Sequence, residues 1–170
     1  MPDVQLVHTA SQTVGPFLHI ALADPQARYA VEAGSVGAIV VRGAVTDGAG
    51  APVADAVVET WQIDELFARC CTDGDGHYEI HTRKPPPVPT LDGTPQAPHL
   101  SVSVFARGLL DRVVTRIYFG DEVAANEADP TLAIVSADRR PRLVAEPDAD
   151  GGYRLDIRLQ GDDESVFFSI

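Results

Sequence analysis

The chain has 170 residues, of which 45% are hydrophobic, a share that is ordinary for a single globular domain with a packed core. Its formal net charge of −12 argues against a nucleic-acid partner and against an anionic membrane surface, since both need clustered Lys and Arg. The adjacent Cys70 and Cys71 form neither a disulfide framework nor a CxxC metal motif, and the chain begins without a signal-like segment; we expect a cytoplasmic protein that does not cross a membrane.

The first half of the chain reads as an arm followed by short strands. Residues 1–35 show no dominant period, and we expect an extended arm that docks on another surface. Residues 36–46 are predicted to form a strand, and alternating side chains over 54–64 predict a second one. A third strand is predicted after the DGDG turn, within 72–82. The next segment, KPPPVPTLDGTPQAP, is rich in proline, which cannot donate to a sheet ladder, and is predicted to be a surface connection.

A β-hairpin is predicted within residues 97–122. Alternation from Leu100 and again from Val113 to Phe119 gives two strands, and Gly108 allows the turn between them. The hairpin carries His99 at its entrance, and Arg107 at the end of its first strand.

The last third of the chain contains short helices and further strands. Residues 121–128 are predicted to form a short helix, and Asp129 followed by Pro130 is typical of an N-cap that starts another. Strict alternation over 153–160 predicts a half-buried strand, and 165–170 are predicted to form the last one. The chain as a whole is predicted to be one all-β domain: a β-sandwich of mixed or antiparallel strands with an extended N-terminal arm and one or two short helices.

Two patterns that resemble metal sites are better explained without a metal. The turn that begins at Asp73 resembles a calcium loop, but Lys84 stands where that loop needs a bidentate Glu. His77, Glu79 and His81 share one strand face, but the two histidines are separated by about 13 Å at the rise of a strand. We therefore predict an ordinary turn and solvent-facing side chains.

Six segments taken together resemble the intradiol ring-cleavage dioxygenases, and within them the alpha-type chain of two-chain enzymes: SQTVGPF, ADAVVETWQID, DGDGHYEIHTRKP, APHLSVSVFARG, TRIYFGDE and RLDIRLQGDDESVFF. The resemblance implies a hetero-oligomer with a homologous beta chain that holds non-haem Fe(III) through two Tyr and two His. It also implies cleavage of protocatechuate between its hydroxyls by O2, giving 3-carboxy-cis,cis-muconate in the β-ketoadipate pathway of aromatic catabolism.

The ligand positions implied by the resemblance are mostly lost in this chain. The His-x-His pair corresponds to His99 and Ser101, and the Tyr before Pro corresponds to Val88. The other Tyr has no counterpart between Trp61 and Tyr78. One imidazole does not hold Fe(III), so the iron is expected on the beta chain, and this chain is expected to be inactive by itself.

The resemblance also implies substrate-binding positions, which here are Thr13, Gly15, Pro16 and Arg107. Gly15 and Pro16 would place backbone close to a flat ring, and Arg107 would orient its carboxylate.

Two other classes of protein share parts of these patterns. The segments GAPVADAVVETWQIDE and DGDGHYEI also fit a transthyretin-like or carboxypeptidase-regulatory-like binding module without a catalytic role, although such modules need neither the arm nor the Arg107 hairpin. A hydroxyisourate hydrolase would end in a YRGS-like motif, whereas this chain ends in FFSI.

Overall fold

The computed structural model describes residues 14–15, 17–90 and 93–169, with only the backbone of His19. These residues form nine β-strands, most of them where alternating residues predict them. The strands are β1 (Ala38–Thr46), β2 (Val57–Trp61), β3 (Phe67–Cys71), β4 (His77–Arg83), β5 (His99–Phe105), β6 (Val113–Phe119), β7 (Val144–Pro147), β8 (Tyr153–Arg154) and β9 (Ile157–Arg158).

The strands are connected in the order β3-β2-β5-β6-β7-β8-β1-β4, and β9 pairs with β1. β3, β2, β5 and β6 are antiparallel neighbours and form one half of the sandwich. β7 runs parallel to β6 and antiparallel to β8, which links this half to the second one. In the second half β1 is antiparallel to β4 and parallel to β8 and β9.

The core lies between the two halves. Val41 and Ile80 from the second half and Val58, Val102 and Ile117 from the first belong to one cluster, each no more than 1% exposed. Burial of these β-branched side chains is the main favourable term for a fold of this kind. The predicted β-sandwich of mixed strands is confirmed.

Short helices replace part of the predicted irregular arm. α1 spans Phe17–Leu22, and a 3-10 helix spans Pro25–Arg28 behind an Asp24 N-cap. Further along, α2 covers Val123–Ala128 and α3 covers Pro130–Ala133. The described residues thus hold three α-helices where one or two were expected, and none of these is long enough to cross a membrane.

Two observed strands were not predicted, and one predicted strand does not form. β3 and β7 were not predicted: β3 follows a tight turn without Gly or Pro, closed by Glu65 at a φ of 65°, and β7 has only four residues. Residues 165–169 form no strand, although their alternation and aromatic side chains predicted one. They are held instead by separate hydrogen bonds, including Phe168 N–H to the Val114 carbonyl.

The strand predicted over 153–160 is broken into β8 and β9 at Leu155. The Leu155 N–H still donates to the Arg42 carbonyl of β1, but its own carbonyl accepts a hydrogen bond of 2.7 Å from the buried hydroxyl of Tyr78. Tertiary contact with a tyrosine of β4 therefore interrupts a ladder that alternation alone would continue.

Candidate functional site

A cavity of about 270 Å³ joins the positions that the sequence compares with iron ligands. Its walls include Val88, His99 and Ser101, together with the side chains of three further residues: Trp61, Gln96 and Arg116. Strand pairing explains why they meet. Ser101 of β5 lies between Trp61 of β2 and Arg116 of β6 in the sheet register, and Val88 bridges to Gln96 across the proline-rich connection.

His99 opens β5 and is only 5% exposed. Its Nδ1 lies 2.8 Å from the Ala97 carbonyl, which can only accept a hydrogen bond, so Nδ1 carries a hydrogen and donates it. Burial lowers the pKa of His99, and the positive charge of Arg116 acts in the same direction. Both effects favour the neutral imidazole, whereas the hydrogen bond to the Ala97 carbonyl favours the charged form.

Arg116 is the charged group of the cavity, and the sequence did not single it out. Its Nη1 donates to three uncharged oxygens: Gln96 Oε1 at 3.1 Å, the Tyr118 hydroxyl at 3.0 Å and Thr131 Oγ1 at 3.2 Å. The sequence nevertheless contained a signal for it: Arg116 is the one charged residue among the β-branched residues of β6, and it lies opposite Ser101 in the predicted hairpin.

The buried carboxylate of Asp129 holds the hydrogen-bond network around Arg116 in place. Asp129 is fully buried and accepts hydrogen bonds from the Tyr118 hydroxyl and from the N–H groups of Ala97, Thr131 and Leu132. The predicted N-cap at Asp129 is confirmed, and the same side chain also anchors the entrance of β5.

The donors around the cavity do not fit Fe(III). Among the described residues they comprise one imidazole, one hydroxyl and the amides of Gln62 and Gln96, with no carboxylate or phenolate, and a guanidinium that would repel a cation. Tyr118 lies behind this wall, and burial raises its pKa to about 12, which opposes a phenolate. Across the described ranges no three His, Cys, Asp or Glu side chains are grouped to hold a metal.

The predicted turn at Asp73 is confirmed, since its carboxylate accepts hydrogen bonds from the N–H groups of Asp75 and His77. On β4, Glu79 contacts His81 at 2.9 Å and Arg42 at 3.2 Å. The prediction of solvent-facing side chains is therefore wrong for His81, whose side chain is only 14% exposed and packs against the ring of Tyr29.

The predicted substrate-binding positions are only partly described. Arg107 follows β5, its side chain is 69% exposed, and it forms an ion pair with Asp55. Gly15 has a φ of 70°, and a Cβ placed there would meet no described atom within 4 Å, so the structure does not bring it against Arg107. Thr13 and Pro16 lie outside the described residues. Substrate binding by these four positions stays a prediction.

Comparisons with known sequences give the family of the chain. A family model described as Dioxygenase matches residues 17–161. The chain is 38% identical to a protocatechuate 3,4-dioxygenase alpha chain of Pseudomonas putida over 99% of each chain. It is also 33% identical to a protocatechuate 3,4-dioxygenase beta chain of Burkholderia cepacia, over 74% of this chain and 65% of that one.

Solved structures agree with the fold. The dioxygenase domain of a carbohydrate-binding fusion protein from Streptomyces sp. SirexAA-E has a TM-score of 0.61 at 21% identity, covering 79% of this chain and 87% of that one. An intradiol ring-cleavage dioxygenase from Tetranychus urticae has a TM-score of 0.61 at 15% identity, covering 76% and 84%. At these identities the structures show a shared fold.

These relatives do not favour a binding module or a hydroxyisourate hydrolase, and they confirm the resemblance that the six sequence segments indicated. Because the family model spans most of the chain and the alpha-chain relatives exceed 30% identity over nearly all of it, the chain belongs to the intradiol ring-cleavage dioxygenase family.

Proposed function

We propose that this chain is the iron-free alpha subunit of a protocatechuate 3,4-dioxygenase. With an iron-bearing beta chain it opens protocatechuate between its two hydroxyls, using O2, to give 3-carboxy-cis,cis-muconate. The observation that carries the proposal is the 38% identity over 99% of both chains with an alpha chain of that enzyme. The pathway is aromatic catabolism through β-ketoadipate, and the two cysteines, which form no disulfide, fit the reducing cytoplasm.

The cavity beside His99 supports the assignment of the iron to the beta chain. Its lining includes Val88, Ser101 and Arg116, which cannot bind a trivalent cation, so non-haem Fe(III) is assigned to the beta chain. The likeness to a beta chain over 74% of this chain supports a partner with a related sandwich. The two sandwiches then form a hetero-oligomer in which only one retains the metal.

The alpha chain contributes to substrate binding through its arm and through Arg107. Thr13, Gly15 and Pro16 of the arm line the pocket of the beta chain. The exposed guanidinium of Arg107 is held at the end of β5 by Asp55, which orients it without burying its charge. In a chain of net charge −12, such a fork attracts and orients the carboxylate of protocatechuate.

Co-expression with a homologous beta chain tests the proposal. A tag on this chain is expected to recover a complex of both chains, and only the complex is expected to consume O2 when protocatechuate is added. Oxygen uptake by this chain alone, or failure of the two chains to purify together, would contradict the assignment.

Replacing Arg107 by Ala in that complex is expected to raise KM for protocatechuate by about tenfold, the effect of losing one charge-assisted hydrogen-bonded pair. Catechol has no carboxylate, so its KM is expected to change little. Arg154→Ala is the matched control, because Arg154 is also an exposed arginine paired with an aspartate. Steady-state oxygen uptake with both substrates measures the two KM values. Equal changes in KM for protocatechuate and catechol would show that Arg107 does not recognise the carboxylate.

A further inference from the structure

We propose that the cavity beside Arg116 binds a small aromatic carboxylate, at a site that belongs to this chain alone. The proposal goes beyond the role of the chain as a partner subunit, and it does not depend on that role. Three observations carry it: the unpaired charge of the cavity, its aromatic wall and its size.

The charge of Arg116 has no ion-pair partner among the described residues. The chain has 25 acidic and 13 basic side chains, and seven described arginines form an ion pair with a nearby Asp or Glu, as Arg42 and Arg69 do, but Arg116 is not one of them. Arg116 has only uncharged partners among the described residues, and none of the described residues that line the cavity is acidic. Asp129 is one group away, behind Tyr118, and Asp64 accepts a hydrogen bond from the amide of Gln62, which also lines the cavity.

The guanidinium of Arg116 is held in place by Nη1, while Nε and Nη2 remain available as hydrogen-bond donors. Nη1 is fixed by its three oxygens, and the group lies 5.8 Å from the ring centre of Phe168, which restricts its plane. Nε and Nη2 form no hydrogen bond with any other described residue. A planar group with two free donors matches the two oxygens of a carboxylate.

The opposite wall is aromatic and apolar. Trp61 packs against Phe67 with 4.5 Å between ring centres, yet the residue is 52% exposed, so the indole lies at the rim. Ile63 is 48% exposed beside it, and Val88 adds a further apolar side chain. A flat ring would cover this surface, which otherwise meets water.

The volume is sufficient for such a ligand. An apolar cavity of about 150 Å³ is known to accept benzene, and the cavity here has about 270 Å³. The carboxylate of a benzoate-sized molecule would lie at Arg116, and its ring along Trp61.

Trp61 is the only tryptophan of the chain, which makes its fluorescence a direct reporter of this cavity. Titration of the full-length chain with sodium benzoate is expected to give a saturable fluorescence change, with a dissociation constant of about a millimolar, as suits one small fragment. Benzamide has the same shape without the charge and is expected to give no saturable change. No saturation with benzoate, or equal binding of benzamide, would overturn the proposal.

Variants locate the binding. Arg116→Gln is expected to weaken benzoate binding by at least about tenfold, and Arg154→Gln, which removes the same charge on the other half of the sandwich, is expected to leave it unchanged. Equal affinities in both variants would place benzoate elsewhere and end the proposal. Should Arg116→Gln fail to fold, the comparison of benzoate with benzamide in the unchanged chain still decides.

Discussion

Replacement of Asp129 by Ala is expected to lower the free energy of unfolding by about 4 kcal/mol, a large share of the stability of a domain of this size. The carboxylate satisfies three backbone N–H groups and the Tyr118 hydroxyl in a place that water does not reach. Without it these donors stay buried and unpaired, which costs more than the hydrogen bonds contributed. Urea unfolding of the full chain measures the change.

Asp24→Ala provides the matched control. Asp24 is also an N-cap followed by proline, but it is exposed and accepts a single hydrogen bond, from the Gln26 N–H. Its loss is expected to cost about 1 kcal/mol or less. Similar losses for the two variants would show that Asp129 acts only as a helix cap and does not anchor the cavity.

Gly43→Ala is expected to destabilise the chain by about 3 kcal/mol, because the interior cannot make room for one methyl group. A Cβ at Gly43 would collide with the Leu155 carbonyl and would approach the ring of Tyr78 within 2.8 Å. Both are fixed by the hydrogen bond from the Tyr78 hydroxyl to that carbonyl.

Gly74→Ala separates this steric effect from the general effect of adding a methyl group. Gly74 lies in the exposed turn before β4, and a Cβ there would meet nothing within 4 Å. Its substitution is expected to change the free energy of unfolding by no more than about 0.5 kcal/mol. A loss at Gly43 as small as this one would mean that β1 moves freely away from Leu155.

Local pattern was enough to predict the elements that are both regular and bounded by turn residues. β6 begins and ends at Val113 and Phe119, as alternation predicts, and Asp129 caps α3 as its sequence indicates. Pattern failed where distant parts of the chain decide the structure. The alternation of residues 153–160 continues through Leu155, but the Tyr78 hydroxyl takes the Leu155 carbonyl and ends the strand there.

The candidate site was likewise predicted in part from local sequence and in part only from the structure. Sequence comparison singled out His99, Ser101 and Val88 one by one, and the structure places all three around a single cavity. Arg116 and Trp61 join them only through the pairing of β2, β5 and β6, which becomes visible once the sheet register is known. A single charged residue on a strand is typical of a solvated surface. The role of Arg116 can therefore be inferred only from the residues that contact it in the structure.

We propose that this sandwich has no iron centre of its own and works beside a chain that has one. Metal analysis and the visible absorption spectrum of the chain, purified alone after expression with excess iron, distinguish the two cases. We expect a colourless protein with far less than one iron per chain. One tightly bound iron per chain with tyrosinate-to-iron absorption would contradict it.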